Sequence, residues 1–272
     1  MPERLRVLLI GDIVGRPGRR IVAERLVELR SRYRLDLVVA NAENAAGGSG
    51  LTPVFFHELR DAGVDGMTLG DHAFRQREIF GILDSSDRIV RPGNFPAESP
   101  GRGWTILHTA DGIPVAIMAL LGRTYMQPLT DCPYHAAERM LEEIRRAEPS
   151  LRVVLLDFHA EATSEKQLMG RFLDGRIGAV LGTHTHVATA DETILPGGTA
   201  FQCDIGMTGP YESILGRRID RVIETMTTLR PVKFDVASHD VRLVGTVVEF
   251  DTTTGLAAGI ERLSISHDCT LP

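Results

Sequence analysis

The segment IGAVLGTHTH, residues 177–186, is an apolar run that ends in two histidines. The apolar part predicts a buried strand, and the two histidines follow at its carboxyl end. On extended backbone, His184 and His186 would point to the same side, because alternate residues of a strand share a face. A lone histidine in an apolar context is ordinarily a core residue. Two imidazoles directed to one place instead favour a pair of metal ligands.

Predicted strands and helices alternate around this segment. Apolar runs predict strands at residues 6–10, 35–40, 64–69, 115–121 and 151–156, and helical spacing predicts helices at residues 19–33, 79–83 and 134–147. Thr52 before Pro53 is typical of a helix start, and Ser164 with Gln167 has the spacing of a capping box. This alternation predicts a layered α/β domain.

The last third of the chain has a different pattern. A short strand is predicted near Ala200–Cys203, and two antiparallel strands are predicted at Val241–Asp251 and Ala258–Ser266. These late strands indicate either a mixed sheet or a second sheet. Since no linker or repeat interrupts the chain, residues 1–272 are expected to form a single domain.

The composition is that of an ordinary globular protein. Hydrophobic residues make up 43% and charged residues 24% of the 272 positions. A net charge of −6 argues against a nucleic-acid partner, because proteins that bind the phosphate backbone usually present a basic surface. The charge does not argue against a small anionic substrate that is held locally by metal ions.

The three cysteines and the N-terminal residues indicate where in the cell the protein is expected. Cys132, Cys203 and Cys269 lack the spacing of a metal or redox motif and are expected to be reduced thiols. The N-terminal apolar run is too short to span a membrane and lacks a signal-peptide cleavage region. We therefore expect a cytoplasmic protein without a membrane partner.

Polar side chains that can bind metals follow the predicted strands one after another. They are Asp12, Glu43 with Asn44, Asp71 with His72, His159, and finally His184 with His186. Each has an ordinary structural interpretation by itself, such as a helix cap for Asp12 or a core histidine for His159. Because ligands bind at the carboxyl ends of strands in α/β sheets, all of these side chains are expected at one edge. Independent structural roles at every position would be a coincidence.

The number and type of these donors predict the metals. Seven of them, Asp12, Glu43, Asn44, Asp71, His159, His184 and His186, are too many for one four-coordinate zinc. Carboxylate, amide and imidazole donors without thiolates suit two ions of iron, manganese or zinc. Paired ions stabilise both the attacking and the leaving oxygen in phosphoryl transfer. Nucleotide-binding loops and a serine-hydrolase elbow find no match in the sequence.

The chain closely resembles the YmdB family of calcineurin-like metallophosphoesterases, which are bacterial proteins. The order of the donors carries this resemblance, together with the segments 42–48, 157–166, 184–198 and 204–211. The resemblance implies a four-layer α/β/β/α sandwich, a di-iron centre and phosphodiesterase activity on 2′,3′- or 3′,5′-cyclic nucleotides. A homo-oligomer is suggested by analogy only.

Roles for the donors also follow from the resemblance. Asp12, Asn44 and His186 would bind the first metal, and Asp71, His159 and His184 the second. Glu43 would bridge the metals, and His72 would be the catalytic acid. The chain departs from the family pattern at Asp71, where asparagine is usual, and at Phe74-Arg75, where an aromatic–acidic pair is usual. The added carboxylate is expected to strengthen metal retention and to make the bridging water less acidic.

The expected reaction is hydrolysis of a phosphodiester by a hydroxide that two metals activate, with His72 protonating the leaving oxygen. The alternative for His72 is a role that only orients a ligand. Two other functions are compatible with the sequence. One is a phosphomonoesterase such as a nucleotidase, and the other is a metal-dependent signalling protein with incidental hydrolysis.

Overall fold

The computed structural model describes residues 3–266, so Met1, Pro2 and Cys269 lie outside the described residues. The strands in chain order are β1 (Arg4–Ile10), β2 (Asp12–Ile13), β3 (Leu37–Asn41), β4 (Gly66–Thr68), β5 (Ile89–Val90), β6 (Trp104–His108), β7 (Pro114–Leu121), β8 (Val153–His159), β9 (Ala179–Thr183), β10 (Thr193–Ile194), β11 (Ala200–Gln202), β12 (Met207–Pro210), β13 (Val241–Asp251) and β14 (Ala257–Ser266). The helices are α1 (Gly15–Tyr33), α2 (Pro53–Asp61), α3 (Phe80–Ser85), α4 (Pro133–Ala147), α5 (Thr163–Phe172) and α6 (Ile219–Thr228), and a 3-10 turn at Arg77–Ile79 precedes α3.

The first sheet is mixed, as the late strands indicated. Its strand order is β2-β12-β13-β1-β3-β4-β5, and β14 pairs with β13 outside this path. Strands β1, β3, β4 and β5 are parallel, whereas β13 runs antiparallel to β1 and to β14. The carboxyl ends of the parallel strands therefore meet at one edge.

The second sheet has the order β10-β11-β9-β8-β7-β6. Its four central strands, β7, β8, β9 and β11, are parallel, and the antiparallel strands β6 and β10 lie at its two edges. The central strands are buried along almost their whole length, as expected for a parallel sheet that is covered on both faces.

Three apolar layers hold the structure together. Between the sheets, Val7, Leu9 and Val39 of the first sheet belong to one cluster with Ile117 and Leu155 of the second. Helices α1, α2 and α3 cover the outer face of the first sheet, and α4 and α5 cover that of the second. This confirms the four-layer α/β/β/α sandwich. The shared central layer favours the single domain, which stays a prediction.

The starts of α2 and α5 can be compared with the caps that the sequence predicted for them. At α2 the hydroxyl of Thr52 accepts a hydrogen bond from the backbone N–H of Phe55 at 3.4 Å, which confirms this cap. The capping box at Ser164 is wrong, because the N-cap of α5 is Ala162, two residues earlier, and no side chain caps the helix. Ser164 therefore lies inside the first turn. None of the helices within residues 3–266 combines the length and apolarity that crossing a bilayer requires.

Candidate metal centre

The predicted donors meet in the gap between the carboxyl edges of the two sheets. Asp12 lies in β2, and the segments after β3 and β4 of the first sheet supply Glu43, Asn44, Asp71 and His72. His159 is the last residue of β8 in the second sheet, and His184 and His186 follow β9. Side chains that lie up to 174 positions apart in the sequence are thus brought together by the two sheets. The structure brings all eight predicted side chains to this one edge.

Four of these side chains form the tightest group. Ligand atoms of Glu43, Asp71, His159 and His184 all lie within 4.8 Å of one another. Nε2 of His159 is 3.1 Å from Oε1 of Glu43 and 3.1 Å from Oδ1 of Asp71. Nδ1 of His184 is 3.0 Å from the same Nε2 atom. Two carboxylates and two imidazoles at this separation can surround one cation.

A buried network behind His159 determines which of its nitrogens faces the centre. The hydroxyl of Thr183 donates its single proton to Oδ1 of Asp157 at 2.6 Å, so it must accept from Nδ1–H of His159 at 2.8 Å. In the neutral ring, this tautomer leaves the lone pair of Nε2 directed towards Glu43 and Asp71. A buried acceptor of this kind fixes the orientation of a metal-binding histidine.

His186 is oriented in the same manner by a different partner. Its Nδ1 donates to the backbone carbonyl of Leu215 at 3.1 Å, which leaves the lone pair on Nε2. Nε2 lies 3.2 Å from Nδ2 of Asn44, and this amide nitrogen also donates to Oε1 of Glu43 at 3.1 Å. The Asn44 amide nitrogen thus lies between the Glu43 carboxylate and Nε2 of His186. A cation at the same place could bind both of these acceptors. The amide oxygen, the atom that would bind a metal, faces Nδ1 of His72 at 3.0 Å.

Asp12 carries an oxygen that lacks a protein partner. Its Oδ2 accepts a hydrogen bond from the backbone N–H of His184 at 3.1 Å. Its Oδ1 is buried without a hydrogen-bond partner and lies 3.9 Å from both Nδ1 of His159 and Nε2 of His186. Burial raises the pKa of Asp12 to about 8. A buried acceptor that remains unsatisfied is costly, and a bound cation would remove this cost.

Asp71 and His159 each shift the pKa of neighbouring side chains in the centre, or have their own pKa shifted by them. Burial opposes ionisation of Asp71, but hydrogen bonds from His159 and His184 outweigh it and lower the pKa of Asp71. Burial also opposes the charged form of His159, yet the carboxylate of Glu43 raises the pKa of His159 well above its usual value. Without a metal, the positive charge of His159 therefore offsets part of the negative charge of Glu43 and Asp71. With an orphaned acceptor at Asp12 and only oxygen and nitrogen donors, these residues fit hard or borderline cations.

The predicted geometry of the two histidines is wrong in one respect. Strand β9 ends at Thr183, and His184 and His186 have φ values of 99° and 63°, in the left-handed region rather than on extended backbone. The two rings also serve different parts of the centre. His184 faces Asp71 and His159, whereas His186 faces Asn44 and Asp12.

Sequence reasoning assigned no role to Glu161, which lies beside the centre. Its Oε2 is 3.1 Å from Nε2 of His184, on the opposite side of the ring from Asp71. Nδ1 of His184 is consequently the nitrogen that faces the group, and Glu161 can accept the proton on Nε2. The residue spacing gave no signal for it, because Glu161 lies in a bend beyond the end of β8 and meets His184 only in the folded chain.

The layer order and a carboxylate and imidazole centre at the carboxyl edges of two sheets are those of the calcineurin-like metallophosphoesterase fold. A family model described as YmdB-like protein matches residues 8–263. The chain belongs to this YmdB-like family.

Similar proteins cover nearly the whole chain. A Bacillus subtilis (strain 168) protein named 2′,3′-cyclic-nucleotide 2′-phosphodiesterase is 44% identical over 264 residues, which are 97% of this chain and 98% of the relative. A crystal structure of a hypothetical protein from Thermus thermophilus superposes with a TM-score of 0.89 at 42% identity, covering 96% of this chain and 99% of that one. A crystal structure described as a novel phosphatase from Mycoplasma pneumoniae gives a TM-score of 0.89 at 30% identity, covering 98% and 95% of the two chains.

Proposed function

We propose that this chain is a hydrolase, namely a metal-dependent phosphodiesterase that cleaves cyclic nucleotides. The observation that carries the proposal is the group of four ligand atoms, from two separate sheets, within 4.8 Å of one another. The B. subtilis relative is named a 2′,3′-cyclic-nucleotide 2′-phosphodiesterase, which favours a 2′,3′-cyclic nucleotide as the substrate over a 3′,5′-cyclic one.

The donors divide into two sets on either side of Glu43. Asp71, His159 and His184 would hold one ion, and Asp12, Asn44 and His186 the other. Oε1 of Glu43 lies 3.1 Å from both Nε2 of His159 and Nδ2 of Asn44, so this carboxylate is placed to bridge the two sets. Ligation by Asn44 requires its amide to turn so that the oxygen replaces the nitrogen. When bound, two ions of iron, manganese or zinc would supply the positive charge that polarises the phosphate and activates water.

His72 is assigned the role of general acid. Hydrolysis breaks one P–O bond of the cyclic ester, and the released ribose oxygen needs a proton. The side chain of His72 is 26% exposed, so it can reach a bound substrate. Its Nδ1 is 3.0 Å from Oδ1 of Asn44, and its Nε2 is 3.4 Å from Oδ2 of Asp71. These contacts hold the ring at the open side of the centre, where a proton donor is required.

Metal analysis and a substrate panel test the proposal together. The protein is purified without chelator, its iron, manganese and zinc are measured, and 2′,3′- and 3′,5′-cyclic nucleotides are assayed. We expect two bound ions per chain and turnover of 2′,3′-cyclic nucleotides that a chelator abolishes and added metal restores. Turnover that resists complete metal removal would contradict the proposal.

A phosphomonoesterase is the second candidate, because the M. pneumoniae relative is described as a phosphatase. Turnover of a 2′,3′-cyclic nucleotide and of the matching monophosphate by the same metal-loaded preparation distinguishes the two activities. We expect a higher kcat/KM for the cyclic ester. The reverse order would identify the monoesterase. A cytoplasmic location and a homo-oligomer stay predictions.

A further inference from the structure

A buried ion pair lies behind the turn that carries the two histidines. Nζ of Lys166, in α5, is 2.6 Å from Oδ2 of Asp204, which follows β11, and both side chains are only 1% exposed. Burying two charges removes them from water at a large cost in free energy, and their attraction offsets this cost only with good geometry and further hydrogen bonds. Neither residue has a part in the proposed reaction. Their placement therefore calls for another reason.

The further hydrogen bonds of Asp204 identify what the pair holds. Oδ2 accepts from the backbone N–H of Thr185 at 3.0 Å and from the Thr185 hydroxyl at 2.8 Å. Oδ1 accepts from the backbone N–H of Gly206 at 2.8 Å. The carboxylate thus binds Thr185 by both its backbone and its side chain, and Lys166 supplies the opposite charge.

Thr185 is the residue between the two candidate ligands. Its neighbours His184 and His186 both have left-handed φ values, 99° and 63°, which are strained for residues with a Cβ. Such a turn persists only where the surrounding structure imposes it. Asp204 imposes it at the central residue, and the bond from the His184 N–H to Asp12 imposes it on one side.

We infer that Lys166 and Asp204 form a positioning pair, which acts through Thr185 to hold His184 and His186 in the orientation that binds two metals. The inference rests on the proposed function. Because one carboxylate fixes a turn whose two histidines face different metal positions, loosening this turn weakens both positions. The pair contacts Thr185, the residue between the two ligands, and not the substrate, so it changes metal affinity rather than the chemical step.

Thr185→Val and Thr185→Ser are the matched test. Valine keeps the shape and the backbone N–H but removes the hydroxyl that donates to Asp204, whereas serine keeps the hydroxyl. We expect Mn²⁺ titrated into metal-free protein to bind Thr185→Val roughly tenfold more weakly than wild type, and Thr185→Ser about as tightly as wild type. Lys166→Met, which leaves the Asp204 carboxylate unpaired, is expected to lose more affinity.

Two further measurements separate positioning from general stability. The visible absorption of the Co²⁺-loaded protein reports ligand geometry, and we expect it to change in Thr185→Val but not in Thr185→Ser. Thermal unfolding of the metal-free proteins should be nearly unchanged between these two variants. Equal Mn²⁺ affinity and an unchanged Co²⁺ spectrum in Thr185→Val would overturn the inference alone. A wild-type protein that binds no metal would overturn the proposed function, and this inference with it.

Discussion

Nε2 of His159 lies 3.1 Å from Oδ1 of Asp71, and this contact joins the last residue of β8 in one sheet to the segment after β4 in the other. The candidate centre is therefore assembled across an interface between sheets rather than within one βα unit. Its donors can bind a common ion only when the apolar layer between the sheets is fully packed. Metal binding and the packing of the two sheets are consequently expected to stabilise each other.

Asp71→Asn replaces the carboxylate with the amide that is usual in the family. We expect the variant to retain less metal after dialysis against a weak chelator, because one negative charge is lost from the group. The acidic limb of the pH–rate profile should move to lower pH, since activated water becomes more acidic beside fewer negative charges. Asp61→Asn, at an exposed position where the carboxylate pairs with Arg60, is the control. A limb that stays in place would contradict the prediction.

His72→Ala tests the general acid. We expect normal metal content and a loss of about 10²–10⁴-fold in kcat on cyclic nucleotides, whose leaving oxygen needs a proton. A diester with a p-nitrophenolate leaving group needs no proton, so its turnover should fall much less. Equal losses on both substrates would assign His72 to orienting Asn44 and Asp71 instead.

Glu161→Gln removes the negative charge that faces Nε2 of His184 at 3.1 Å. Because this carboxylate can accept the proton on Nε2 and so orients the His184 ring, we expect metal affinity to fall by about tenfold, less than for loss of His184 itself. The measurement is a titration of metal-free protein with Mn²⁺. Glu165→Gln serves as the comparison, since Glu165 accepts from backbone N–H groups of Arg123 and Thr124 rather than from a histidine. An unchanged Mn²⁺ affinity in Glu161→Gln would show that Glu161 does not support His184 as a metal ligand.

Gly70→Ala tests how closely the backbone after β4 approaches the centre. A Cβ at this position would clash with the His159 ring and with Oε2 of Glu43, so both ligands would have to move. We expect metal content near zero, measured by elemental analysis. Gly81→Ala, where a Cβ meets nothing within 4 Å, should bind metal as wild type does. A fully loaded Gly70→Ala protein would disagree with this geometry.

Metal binding should release protons at neutral pH. In the metal-free protein, burial raises the pKa of Asp12 to about 8, and Glu43 raises the pKa of His159 well above its usual value, so both groups are protonated at pH 7. Both must lose a proton to act as ligands. Apparent Mn²⁺ affinity is therefore expected to rise with pH between about 6 and 8, with proton release detected by calorimetry in buffers of different ionisation enthalpy. Affinity that is independent of pH would contradict these shifts.

Local patterns were sufficient for most elements and for the choice of donors. Apolar runs located the longer parallel strands β1, β3, β7, β8 and β9, because buried strands need continuous hydrophobic residues. Asp12, Glu43, Asp71 and His159 were found because each closely follows a predicted strand in the sequence. Strand β6, the short strands β2, β5, β10 and β12, and helix α6 were not predicted. No residue of α6 is buried. The apolar residues of α6 do recur at helical spacing, and this was the available signal for it.

The sequence by itself determined the order of strands and helices and the set of polar side chains at the strand ends, because these depend on neighbouring residues. Tertiary structure alone decided how the donors face one another. The left-handed backbone at His184 and His186 is held by Asp12 and Asp204, which are distant in the chain, and Glu161 reaches His184 only after the strands pair. Such contacts depend on torsion angles that long-range hydrogen bonds impose, and residue spacing carries no record of them.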